Sequence, residues 1–151
     1  MNTKKSARDE RHERAHDERR EYLDDARAAI VHKFDILGHE GYIRAGMYPD
    51  GRVGEIFVKM NKVGTNVSGM MDAFATAVSL LLQYGVSVET LGDKFIGARF
   101  DPQGWTKNPA IREATSVVDY IFRYLISRFG EEARNQPVPA SPPATPEAKE
   151  S

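Results

Sequence analysis

His12, Glu13 and His16, in the string HERAH, fit the pattern H-E-x-x-H. Two histidines four residues apart lie on one helical face and can share a zinc ion, with the glutamate between them as general base. That chemistry would be metal-dependent hydrolysis. A zinc site of this kind needs a third ligand and an apolar helix side that seats it against a cleft. The remaining histidines, His32 and His39, fall in segments that read as strands. HERAH itself lies in a run dense in Arg, Glu and His, where such a match arises easily and a solvated arm is the ordinary reading. We expect no metal and no cofactor, with His12 and His16 as weak metal candidates only.

Three other groups could do chemistry. In KMNKVGTNVSG, Lys59 and Lys62 precede a Gly- and hydroxyl-rich entry to a helix. Helix N-termini offer unpaired N–H groups and partial positive charge, suited to a phosphate or carboxylate. Thr65, Asn66, Ser68 and Gly69 would complete such a site, although ordinary capping explains the same residues. The spacing of Gly64 and Gly69 is that of a Walker A loop, but no Lys-Ser/Thr follows. In HKF…GHEGY, His32, Lys33, His39, Glu40 and Tyr42 gather around a strand turn. A His–Glu pair can do acid–base work, but no nucleophile stands nearby in sequence. In ARFDPQGWTKNP, Arg99, Trp105 and Lys107 could rim a nucleotide site, against the alternative that Trp105 covers a core edge.

Composition narrows the classes. The 151 residues suit one domain with tails. Lys and Arg number 21 against 22 Asp and Glu, so net charge gives no push towards nucleic acid or anionic membranes. There is no Cys, which excludes disulfides, thiolate nucleophiles and thiyl-radical chemistry within the chain. No apolar run is long enough to span a membrane, and no apolar stretch follows the basic N-terminus as in a secretory signal. The expected location is the cytoplasm.

Three zones position these groups. Residues 1–27 read as a charged arm able to form a helix, with i,i+4 pairs such as Glu10–Arg14. Residues 28–130 hold nearly all the large apolar side chains. Residues 131–151 end in NQPVPASPPATPEAKES, too poor in large apolar groups to offset ordering entropy, so disorder is expected. Within the middle zone, GYIRAGMY and VGEIFVKM alternate with period two around the turn Pro49-Asp50-Gly51. A helix over about 67–84 is apolar around most of its circumference, which predicts burial on several sides or one face in a subunit interface. A second helix is expected over VETLGDKFIG. A third should start at Asn108 and Pro109, carry the stripe Ala114, Val117, Val118, Ile121, Leu125 and Phe129, and stop at Gly130. The expected fold class is α+β: a small antiparallel sheet of about three strands with about three helices packed on it.

HKFDILGHEGYIRAGMYPDGRVGEIFVKM, VSGMMDAFATAVSLLLQYGV and DKFIGARFDPQGWTKNPAIREATSVVDYIFRYL together resemble a region near the C-terminus of adenosylcobalamin-dependent (class II) ribonucleotide reductases, the TSCPD-type domain. The resemblance spans about residues 30–129 and implies an accessory domain without the catalytic barrel, whose radical-bearing cysteines have no counterpart here. The first expectation is therefore a non-catalytic, homo-oligomeric module. It would bind a nucleotide-like or phosphorylated ligand through Lys59, Lys62, Thr65, Asn66, Ser68, Gly69, His39 and Arg99. The alternative is an accessory or split subunit with a ribonucleotide reductase partner. A metal-dependent hydrolase comes third.

Overall fold

A computed structural model describes residues 19–135; the HERAH string and the Pro-rich tail lie outside them. Three strands come first: β1 (Ala29–Ile36), β2 (His39–Met47) and β3 (Val53–Met60). The helix α1 (Thr65–Gln83) and the shorter α2 (Val88–Phe95) follow, then β4 (Gly104–Asn108), β5 (Ile111–Ala114), α3 (Val117–Phe129) and a single turn, α4 (Glu131–Arg134). The fold is α+β as expected, but the sheet has five strands rather than about three, in the order β3-β2-β1-β4-β5, every pair antiparallel.

Of the additional strands, β4 comes from the loop segment ARFDPQGWTKNP and β5 from the segment read as the start of the third helix. Asn108 and Pro109 do not open a helix; they turn the chain from β4 into β5. The Asn108 side chain accepts from Ala110 N at 3.0 Å, the short-range bond that also makes Asn a helix cap. Helix α3 begins eight residues later than Pro109, where the Ser116 hydroxyl accepts from Asp119 N at 3.0 Å. The turn at Pro49-Asp50-Gly51 is present, with Gly51 at φ +90 and its N–H bonded to Tyr48 O.

Period-two alternation sorts the strands. Ile36, Ile43 and Ile56 are buried against the helices, and so are Tyr120, Phe122 and Leu125 of α3. Phe74, Phe95 and Phe122, one from each long helix, lock the three together, with Phe95 stacked on Phe122 at 5.0 Å and Phe74 edge-on to both. Gly92 lets α2 approach α3, since a Cβ there would run into Ile126 Cδ1.

Helix α1 is one-sided. Ala75, Val78 and Leu82 are buried, while Val67, Met70, Leu80 and Leu81 remain exposed. Its buried side protects the edge of β3: Ser79 Oγ accepts from Ile56 N at 2.9 Å, and Gln83 Nε2 donates to Gly54 O at 3.0 Å. Those backbone groups would otherwise template pairing with another chain. None of Thr65, Asn66 or Ser68 caps α1; Gly64 occupies the N-cap without a side-chain bond. Gly85, at φ +89, ends the helix as expected.

Candidate functional site

The residues nominated for an anion site meet only in part. Glu40 O accepts from Asn61 N at 2.9 Å, so the start of β2 lies beside the turn at residues 61–62. Lys62 sits at φ +57. The first turn of α1 holds no acidic residue, and its leading amides have no side-chain acceptor. Lys59 points to the other face of β3, alongside Phe57. The Arg99 guanidinium donates to Gln103 at 3.1 Å.

Beside the start of α1 lies a feature that the sequence did not single out. A groove of about 500 Å³ runs between α1, the segment 100–102 and the start of α3. Val63, Val67, Met70, Phe74, Phe100 and Val118 line it, and Asn66 is among its few polar neighbours. Met70 is 73% exposed, Val67 50% and Phe100 47%. Large apolar side chains gathered in one open groove mark a contact surface more often than scattered ones do. The signal in the sequence was the all-round apolar character of the 67–84 segment, half of which this groove now accounts for.

The HKF…GHEGY cluster divides between the two sheet faces. His32 and Phe34 turn inwards; Lys33, Asp35 and Tyr42 turn outwards. His32 is stacked on Tyr124 at 4.0 Å, with Nε2 2.7 Å from the Tyr120 hydroxyl. That hydroxyl also accepts from Asn108 Nδ2 at 3.1 Å, so its own proton is free to go to His32. Burial, then the nearby Arg128 charge, hold the His32 pKa below its ordinary 6.5. Burial also raises the pKa values of Tyr120 and Tyr124. The polar atoms here satisfy one another, the arrangement of a supporting network rather than an acid–base site. The unfolded chain protonates His32 more readily than the folded one. Its stabilising contribution is therefore complete above pH 6.5 and declines as pH falls towards the lower folded value. Urea midpoints should drop across that window, and His32→Phe should flatten the dependence.

Among the described residues, no group of three or more His, Asp or Glu could hold a metal ion, and no helix is long and apolar enough to cross a membrane. What the fold defines is a helix-backed antiparallel sheet with an open apolar groove. The chain belongs to the TSCPD domain family, whose model matches residues 14–128. It is 54% identical over 107 residues to a vitamin B12-dependent ribonucleotide reductase of Rhodopirellula baltica, covering 71% of this chain and 10% of that protein. It is 50% identical over 110 residues to one of Streptantibioticus cattleyicolor (73% of this chain, 18% of that protein) and 45% identical over 107 residues to one of Agrobacterium fabrum (70% and 8%). The chain thus spans less than a fifth of the length of these relatives. No solved structure matches it.

Proposed function

We propose that this chain is a non-catalytic accessory module of a ribonucleotide reductase, acting by association with a catalytic chain. The observation that carries this reading is the apolar groove at Val67, Met70 and Phe100, which stands open among the described residues of a domain whose relatives are reductases roughly ten times its matched length. A chain with no Cys cannot itself supply a thiyl radical. The test is to mix the purified protein with a B12-dependent reductase lacking this domain, then follow co-elution and turnover. Co-elution with altered turnover supports the reading; independent elution with unchanged turnover overturns it.

A second reading is favoured by the start of α1, where amides without a side-chain cap follow shortly after Lys62 in the chain. It is a site for a phosphorylated, nucleotide-like ligand. Thermal shift with a nucleotide panel tests it: a shift that Lys62→Ala removes supports it, and no shift with any member counts against it.

A further inference from the structure

The solvent face of the sheet carries chemistry that neither reading uses. The helices lie on the other face, and here the strand register fixes the layout. Val31, Arg44 and Phe57 stand side by side across β1, β2 and β3, and Lys33, Tyr42 and Lys59 form the next row. The Ile36–Thr106 pair and the bond from Leu37 N to Trp105 O (2.8 Å) bring β4 alongside β1. Lys107 then stands beside Asp35, confirmed by their ion pair at 3.6 Å, and Trp105 beside Leu37. Two diagonals follow. Phe57, Tyr42 and Trp105 lie on one, with Asp35 between the last two. Arg44, Lys33 and Lys107 lie on the other, parallel to it and one residue away. Each step, one strand across and two residues along, is about 8 Å.

We propose that this face binds single-stranded nucleic acid, with bases stacking on the aromatic diagonal and phosphates following the cationic one. Three aromatic rings on a sheet face with no helix over them among the described residues are a costly way to cover a surface, yet Trp105 is 67% exposed, Phe57 54% and Tyr42 38%. Flat rings beside cations match a ligand that carries both π-faces and phosphates, and unstacked bases are available only in single strands. The nearby carboxylates offset part of this charge: Asp35 pairs with Lys107 at 3.6 Å, Glu40 with Lys33 at 3.4 Å, and Glu113 stands across from Trp105. Arg44 and Lys59 carry no such partner among the described residues, Glu55 is taken up bidentately by Arg27, and a phosphate would compete with exposed Glu40 for Lys33. Beyond the Ile36–Thr106 pair, β1 and β4 part. The bond from Met47 N to Ala28 O fixes which β1 residues face β2, so the Val31 and Lys33 backbone groups point the other way, into that gap. They are free to read base edges. The chain's net charge of −1 does not show this arrangement, because it says nothing of which charges share a face.

Trp105 is the chain's only Trp, so its fluorescence reports on the site directly. The full chain is titrated at low salt with short oligo-dT and oligo-U strands, the matching duplex, polyphosphate and an acidic peptide. The expected result is quenching by the single strands only. Tyr42→Ala and Phe57→Ala should each weaken binding at least about fivefold. Lys33→Ala should reduce the slope of log affinity against log salt by about 0.7. Glu113→Gln, which removes the carboxylate across from Trp105, should tighten binding. No quenching by single strands, equal binding of polyphosphate or the acidic peptide, or unchanged affinity in both aromatic variants would overturn the proposal. Should those two variants fail to fold by circular dichroism, Lys33→Ala and Lys107→Ala decide it: an unchanged salt slope in both overturns it.

Discussion

Asp119→Ala should lower the folding stability by about 2–4 kcal/mol, a large share of the margin of a domain this size. Asp119 is fully buried at the start of α3. One carboxylate oxygen accepts from Gly97 N at 2.8 Å and from Arg123 Nε at 2.9 Å; the other accepts from Thr115 N at 3.0 Å. A single side chain thereby ties α3 to the end of α2 and to the exit of β5. Alanine would leave the Gly97 and Thr115 N–H groups without their acceptor, and the cost of such orphaned donors exceeds the worth of the bonds themselves; Arg123, 44% exposed, would turn to water. Asp119→Asn keeps the shape and one acceptor, so its loss should be smaller. Burial works against the charged carboxylate, yet the two amides and Arg123 outweigh it and hold the pKa below its usual 3.8. A depressed carboxylate stabilises above the unfolded pKa and loses that contribution as pH falls through the folded one. Urea unfolding of wild type and both variants, at neutral and acid pH, measures each part. Equal midpoints for wild type and Asp119→Ala at neutral pH would refute the account.

That junction also shows how far the sequence was legible. The β2–β3 hairpin could be read because Pro49, Asp50 and Gly51 act through a turn mechanism between two alternating runs. The β4–β5 hairpin could not, because its turn residues, Asn108 and Pro109, are also the preferred first residues of a helix. Local chemistry is the same in both cases. Tertiary context chose the turn: Thr106 and Asn108 face inwards, and Asn108 reaches the Tyr120 hydroxyl. The apolar stripe then blurred the boundary, since Ala114 belongs to β5 and Val117 to α3.

The candidate surfaces were legible to different degrees. Lys59 was singled out for its neighbours in sequence, but its neighbours in space are Phe57 and Tyr42. Which rows and diagonals form depends on the register between strands distant in sequence, and nothing in a single strand states that register. Composition could not show that Arg44 and Lys59 share a face with Lys33 and Lys107, which are already paired with Glu40 and Asp35. The groove was half visible, as a helix too apolar for one buried face. Its other wall comes from Phe100 and α3, contacts that no local pattern encodes.

Met70→Asp should abolish co-elution with a reductase catalytic chain while leaving folding almost unchanged. Met70 is 73% exposed on α1 and lines the groove. Replacing a side chain so exposed should shift stability by no more than about 0.5 kcal/mol. A carboxylate driven into an apolar interface loses its water without gaining a partner, so affinity should fall at least about thirtyfold, the scale of an interface hot spot. Val67→Asp should act in the same way. Lys62→Ala, Tyr42→Ala and Phe57→Ala should not, because Lys62 is not among the residues lining the groove and the two rings stand on the opposite side of the sheet. This set of variants separates the three surfaces with one assay. Loss of association in the groove variants alone assigns the partner to the groove. Loss in the Tyr42 and Phe57 variants would move the partner to the open sheet face. A large drop in the Met70→Asp unfolding midpoint would mean that the groove closes in solution as core rather than waiting for a partner.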